Sequence, residues 1–287
     1  MKVALIPEPH AWPKSGGVRQ HCAMLHRHIW GYAELTPANL ANMVHVQSAY
    51  PSDKVDVYTC HGGFTPHPIA IVYKNLKAAT KIISVAKWIV DEFFLQYTCK
   101  TIVIPNGVDL VEWENLPHNI QGLAEGFVLT KGYNSIKEHW LMLIDVARSL
   151  SNCMFVSIGA PMQLTSSRLL PNFIVLPVQP HKAIQGLFND CLMYISPSSE
   201  VNPVLAMEAM AACKPVVGLD LHGNQEVLHP DCLYSGIEDL QHLILTASQG
   251  QLDDVVDSNK RRVETEYNWQ HLIKRTVEVY EDVLTDA

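Results

Sequence analysis

The sequence has 287 residues, 48% of them hydrophobic and 17% charged, with 21 Lys plus Arg against 29 Asp plus Glu and a formal net charge of −8. That length exceeds one ordinary domain and predicts two compact domains, each able to bury its own core, while the acidic balance excludes a general nucleic-acid coat. The charge is uneven, +2 over residues 1–113 and −10 over residues 114–287, which leaves the first half room for a local anionic partner.

The first apolar run, Val3 to Pro7, is too short for a signal-peptide core or a membrane span, and no later uninterrupted run is long enough. The chain therefore reads as a cytoplasmic protein without a transmembrane segment, with peripheral attachment to a membrane left open. Seven cysteines (22, 60, 99, 153, 191, 213 and 232) are odd in number and widely spaced, with no CxxC and no His pair at zinc spacing. Neither a disulfide framework nor a structural zinc is expected, and most of these thiols read as small core hydrophobes.

Short β-rich runs alternate with helical periodicity, the pattern of βαβ units and parallel sheets. Lys2–Ile6 predicts a strand, followed by a Pro- and Gly-rich loop from Pro7 to Gly17 and a helix over Val18–Trp30. Strands are expected at Val44–Gln47, Val55–Cys60, Lys81–Val85 and Thr101–Ile104, with helical segments at Leu76–Ala79 and Ala86–Tyr97. Pro105-Asn106-Gly107-Val108-Asp109 is a strong turn signal, and the polar stretch after it puts a domain boundary near residue 113. A second alternating set has strands at Gly126–Thr130, Met154–Gly159, Phe173–Leu176, Leu192–Ser196 and Pro215–Leu219. Its helices are Lys137–Leu150, His181–Asn189 and Pro203–Ala212, and a closing helix over Gln270–Leu284 belongs to residues 114–287 but could pack back on the first domain.

The segment richest in chemistry runs from Ile195-Ser-Pro-Ser-Ser to Glu200, then through Asn202, Pro203 and Glu208 to Pro215-Val-Val217. Asn202 can cap the helix and Pro203 fits its first turn, because proline lacks a donor that would be unsatisfied there. Unpaired amides at such an end, with the helix dipole, suit phosphate groups. Glu200 in the preceding loop and Glu208 within the helix can accept hydrogen bonds from sugar hydroxyls at either end of a nucleotide sugar. Gly16 and Gly17 follow the first strand and precede a helix, where missing side chains let amides approach an anion. His61 ends an apolar strand and could project into the crevice where α/β proteins bind ligands. Asp253, Asp254 and Asp257 read as a solvated helix face, and no metal is assigned.

The spacing Glu-x7-Glu, with Ser-Pro-Ser-Ser before it and Glu-Ala-Met-Ala and Pro-Val-Val after it, resembles family-four retaining glycosyltransferases of the two-domain B fold. Ile104-Pro-Asn-Gly-Val-Asp109, Gly16-Gly17-Val18, His61-Gly62 and His222-Gly-Asn-Gln-Glu226 resemble further elements of that family, so the likeness runs through nearly the whole chain. It implies two α/β Rossmann-like domains facing across a cleft, an N-terminal acceptor-side domain (1–113, shortened) and a nucleotide-sugar-binding domain (114–287). It also implies transfer of a hexose from a nucleotide-diphosphate sugar such as UDP-glucose or GDP-mannose, with retention and without a metal or other cofactor.

Carried over residue by residue, the resemblance makes Glu200 and His61 the catalytic candidates at the hexose and Glu208 the ribose ligand. The amides of Val204 and Leu205, with Lys131 and Lys137, would hold the diphosphate, and Gly16 and Gly17 would lie beside the phosphates or the acceptor. Three positions depart from the pattern. Tyr133 stands where the family offers Arg, with Lys137 one residue close and Lys131 a substitute cation; His222 and Cys213 stand where it offers glycine, and only local repacking is expected at Cys213. The acceptor is a saccharide, a lipid-linked saccharide or another hydroxyl compound, with a modified DNA base open but not favoured. A catalytically silent nucleotide-sugar-binding partner and a sugar-nucleotide epimerase of the same architecture are the rival readings.

Overall fold

The computed structural model describes residues 1–11, 17–48, 50–62, 69–93, 95–118, 122–132, 137–160, 170–196 and 200–286. The chain divides into two compact units, Met1–Asp109 together with the closing segment from Glu266, and Leu110–Thr265. The compact units thus change over at Asp109 rather than at residue 113, and the closing segment belongs to the first of them.

In the first unit, strand β1 (Lys2–Ile6) is followed by helix α1 (Gly17–His28), β2 (Glu34–Leu35), β3 (Met43–Gln47) and β4 (Val57–Cys60). Helix α2 (Ile69–Ala78), β5 (Lys81–Ser84), α3 (Lys87–Phe93) and β6 (Thr101–Val103) complete its N-terminal part. The second unit runs through β7 (Val128–Lys131), α4 (Lys137–Ser149), β8 (Phe155–Ile158), β9 (Phe173–Leu176), α5 (His181–Asp190), β10 (Met193–Ser196) and α6 (Val204–Ala211). It continues with β11 (Val216–Leu219), α7 (His222–Val227), β12 (Leu233–Tyr234), α8 (Ile237–Ser248) and α9 (Asp253–Glu266), and α10 (Trp269–Thr285) returns to the first unit.

Each unit is built on a parallel sheet, six-stranded among the described residues. Strands such as β7 and β10 are buried along their whole length. Such strands read as continuous apolar runs because helices cover both faces. The second core gathers Val128, Trp140, Phe155, Phe173, Ile195, Val217, Leu240 and Ile244.

Helix α10 shows why the closing segment joins the first unit. Asn268 caps it, its Oδ1 accepting from the Gln270 amide at 2.9 Å. Leu272, Ile273, Val277 and Tyr280 recur at helical spacing and pack with Val3, Leu25, Ile29, Met43, Val57 and Ile83. Full burial of each such aliphatic chain is worth about 1.5–3 kcal/mol. The Pro-Asn-Gly turn meets the start of this helix so closely that a Cβ on Gly107 would lie 2.7 Å from Leu272 Cδ1 and 2.9 Å from the Tyr267 carbonyl oxygen. Val108 donates to that same carbonyl at 2.7 Å. Gly107→Ala would push this backbone contact apart.

Candidate functional site

The strand orders are β2-β1-β3-β4-β5-β6 and β12-β11-β10-β7-β8-β9. In each sheet the chain builds outward in one direction and then crosses to build in the other, so the order reverses between β1 and β3 and between β7 and β10. Ligands of open α/β sheets bind outside the carboxyl ends of strands at such switch points.

At the switch point of the second sheet, β7 ends in Lys131, whose side chain is only 5% exposed and donates through Nζ to Glu200 Oε1 from the loop after β10. Burial pulls the ammonium down to about 8. At neutral pH it still carries its proton, opposite the half-buried Glu200 carboxylate. The next residue has to be glycine: a Cβ on Gly132 would sit 2.3 Å from the Gly159 carbonyl oxygen and 2.6 Å from the Trp140 ring. Lys137 opens α4 and is exposed; Tyr133 lies outside the described residues.

Helix α6 begins at Val204, with Pro203 at its N-cap and no side-chain cap. Asn202, expected as the cap, is instead buried ahead of the helix. The amides of Ala206 and Met207 donate to the Pro203 carbonyl at 3.1 and 3.2 Å, which leaves the first-turn amides of Val204 and Leu205 without carbonyls inside the helix. Glu208, one turn on, is 1% exposed. Its Oε1 lies 3.9 Å from His181 Nδ1, while His181 Nε2 lies 3.2 Å from Glu112 Oε2 and the ring stands edge-on to Trp113 at 5.5 Å. Sequence reading missed His181 and Glu112, because only the fold brings residues 112, 181 and 208 together.

The loop carrying Glu200 is braced by the next helix. A Cβ on Gly223 would lie 2.1 Å from the Glu200 carbonyl oxygen and 2.6 Å from that of Val201. Asn224 is fully buried; Ser196 Oγ donates to its Oδ1 at 2.9 Å and its Nδ2 donates to the Leu219 carbonyl at 2.9 Å. The ends of β10 and β11 are joined through this one amide. Both departures from a glycine pattern fall at left-handed backbone: His222 has φ 33 and Cys213 has φ 56. Cys213 terminates α6, where glycine carries no Cβ penalty. Cys213 thus holds a side chain in a backbone conformation that carries a Cβ penalty.

In the first unit, His61 follows β4 and its Nε2 lies 2.8 Å from Gln47 Oε1 at the end of β3. His21 on α1 stands edge-on to His61 at 4.5 Å, with its Nδ1 3.0 Å from Asn106 Oδ1. Burial lowers His21 to about 4 and His61 well below the ordinary imidazole value. Gly17 is the first residue of α1, and Gly16 lies outside the described residues. Sequence reading found His61 without its partners, although His45 and Gln47, two apart in the apolar strand β3 and both buried, were a legible signal.

All seven cysteines are free; Cys22, Cys60, Cys191 and Cys232 are buried, whereas Cys99 and Cys213 are exposed. Asp253, Asp254 and Asp257 are exposed on α9. His118, Glu125 and Asp190 bring ligand atoms within 4.8 Å of one another, and the His118 Nδ1 to Asp190 Oδ1 distance of 3.0 Å is that of a hydrogen bond. Among the described residues no helix is long and apolar enough to cross a membrane.

No protein-family model and no curated protein sequence matches the chain. Solved structures do. HepE from Anabaena, in complex with UDP-glucose, superposes with a TM-score of 0.73 at 16% identity over 98% of this chain and 99% of that one. Sucrose-phosphate synthase from Thermosynechococcus elongatus gives 0.72 at 14% over 100% of both chains, and a glycosyltransferase from Rickettsia africae gives 0.73 at 14% over 100% of this chain and 99% of that one. The chain therefore has the two-sheet α/β architecture of the B-fold glycosyltransferases.

Proposed function

We propose that this chain is a retaining glycosyltransferase, moving a hexose from a nucleotide-diphosphate sugar such as UDP-glucose or GDP-mannose to a hydroxyl acceptor. The observation that carries the reading is the grouping at the second sheet's switch point: a buried Lys131 held by Glu200, with the uncapped start of α6 and the buried Glu208 on the helix that follows. Neighbouring structures of the same fold that hold UDP-glucose or UDP support it.

In this reading the diphosphate lies against the Val204 and Leu205 amides, with the cations of Lys131 and Lys137 beside it, and these donors stabilise the charge that develops on the leaving group. Glu208 accepts from the ribose hydroxyls and Glu200 from those of the hexose. His61 in the first unit accepts from a substrate hydroxyl, and Gly17, which opens α1, offers its backbone to the acceptor or to an anion. With cations and amides to take the charge, no metal is required. The acceptor is a saccharide, a lipid-linked saccharide or another hydroxyl compound, carried by the family resemblance alone, and the setting is the cytoplasm, carried by the shortness of the apolar runs.

Nucleotide sugars screened by thermal shift should reveal one that stabilises the fold, since a ligand that binds only the native state raises its apparent stability. Transfer from that donor in the presence of a chelator should continue and give a product with the donor's anomeric configuration, read by NMR. Complete, cation-reversible loss of activity would overturn metal independence, an inverted product would overturn retention, and binding without turnover across acceptors would favour a silent binding partner.

A further inference from the structure

The first unit holds a continuous chain of hydrogen bonds behind His61. It starts at His61, passes through Gln47 to His45, and ends on Tyr280 of α10, 235 residues from His45 in sequence. Its distances are 2.8 Å from His61 Nε2 to Gln47 Oε1, 3.1 Å from Gln47 Nε2 to His45 Nε2 and 2.5 Å from His45 Nδ1 to Tyr280 Oη, with Thr59 Oγ1 2.6 Å from His45 Nε2. His45, Gln47, Thr59 and Tyr280 are almost wholly buried.

Donor and acceptor rules propagate along the chain from the orientation of the Gln47 amide. An amide oxygen only accepts, so His61 carries its proton on Nε2. An amide nitrogen only donates, so His45 Nε2 is bare and receives from both Gln47 and Thr59. The His45 proton is then on Nδ1 and is given to the Tyr280 oxygen. Every ring in the chain is neutral, in keeping with His45 lowered to about 3 by burial and by its neighbour His21. Ser48, with φ 51, turns the backbone immediately after Gln47 and so ends β3 at the residue that reaches His61.

We propose that Gln47 is a positioning residue: held from behind by His45 and Tyr280, it fixes His61 as the Nε2–H tautomer and so presents Nδ1 as a hydrogen-bond acceptor for a substrate hydroxyl. His61 in this arrangement recognises an O–H group rather than donating to a phosphate. The assignment rests on the glycosyl-transfer reading for the identity of that hydroxyl, while the tautomer itself is independent of it. The helix that closes the chain thereby sets the state of an imidazole at the crown of the first sheet.

The test uses the full chain with nitrogen-15-labelled histidine. Long-range nitrogen–proton NMR should find His61 protonated on Nε2 in the parent. In Gln47→Leu, a near-isosteric change without either polar atom, His61 should become a mixture of tautomers, while Gln47→Glu, which keeps an oxygen against His61 Nε2 but adds a buried negative charge, should keep the proton on Nε2 and raise the pH at which the ring becomes charged. Tyr280→Phe removes one hydroxyl at the far end, keeps the packing of α10, and should loosen the His61 tautomer less than Gln47→Leu does. With UDP-glucose and GDP-mannose as probe donors, Gln47→Leu should lower turnover about five- to tenfold at unchanged affinity for the bare nucleoside diphosphate. A parent His61 protonated on Nδ1 would mean the opposite amide orientation and overturn the proposal. Turnover in the parent together with a tautomer or rate indifferent to Gln47 would sink the positioning role alone, and no turnover in the parent with either donor would sink the transfer reading with it.

Discussion

The two units share a plan, a parallel sheet whose strand order reverses beside its first strand, yet the polar groups along the strands of the two sheets are opposite in kind. At β3 and β4 they are neutral imidazoles joined by amides and hydroxyls, His61, Gln47, His45 and Tyr280. At β7 and β10 they are charged, Lys131 against Glu200. Burial disfavours the ionic form at both places, and the outcome depends on the partner. A histidine surrounded by neutral acceptors and donors gives up its proton, whereas a lysine facing a carboxylate keeps it. One architecture thus carries a neutral, hydrogen-bonded crown in one unit and a partly buried ion pair in the other.

The largest expected effect separates the units by pH. The folded-state values of His21 and His45 are lowered to about 4 and about 3, that of His61 is also lowered, and in the second unit His139 is lowered to about 4. Because the unfolded chain then binds more protons than the native one, stability is unaffected above the ordinary value near 6.5 and falls as pH drops below it. Each such group contributes about 1.4 kcal/mol per pH unit until its folded-state value is reached. Native-state hydrogen exchange between pH 7 and 4.5 should show the first unit losing protection two to three times as steeply as the second. Equal slopes would contradict the neutral assignment of the first crown.

A smaller effect is expected from Gly223→Ala, whose added methyl group would meet the Glu200 carbonyl oxygen at 2.1 Å. Backbone has to move, at about 2–3 kcal/mol by comparison with other overpacked sites. The Glu200 side of the second crown should loosen while the first unit is untouched. Denaturant unfolding of the second unit and nucleoside-diphosphate affinity would both register it; an unchanged variant would mean the loop is not braced here.

The smallest effect is a gain. Cys213 occupies left-handed backbone at the end of α6, and Cys213→Gly should stabilise the second unit by about 1 kcal/mol by removing the Cβ penalty. A loss measured by the same denaturant titration would show that the thiol makes a compensating contact.

Much of the sheet framework was legible because parallel strands announce themselves as apolar runs. Lys2–Ile6, Phe173–Leu176 and the ends of β10 and β11 fall where periodicity and turn residues put them. The two-residue strands β2 and β12 were not read, since a pair of residues has no period. Helix α8 was missed although Leu240, Leu243, Ile244 and Ala247 carry a helical stripe. The helix expected over Ala86–Tyr97 divides, α3 ending at Phe93 and a tighter 3-10 segment occupying Leu95–Lys100. At the site, Glu200 and Glu208 stand out in sequence because one helix start spaces them. The partners that define their surroundings, Lys131 at 69 residues' separation and His181, are brought in by sheet order alone, as is Tyr280 beside His45.

The central claim is that the two carboxylates of the second crown have separate tasks, Glu208 on the nucleotide and Glu200 on the hexose. Calorimetric titration of Glu208→Gln and Glu200→Gln, each with the nucleoside diphosphate and with the intact donor, tests it directly. Loss of a charged hydrogen bond is worth about 1.5–3 kcal/mol, or roughly tenfold and more in affinity. Glu208→Gln should therefore weaken both ligands. Glu200→Gln should spare the bare nucleoside diphosphate, and can tighten it by releasing the Lys131 ammonium, while weakening the intact donor and its turnover. If both variants remain folded and bind and react as the parent does, the carboxylates are structural and the account is wrong.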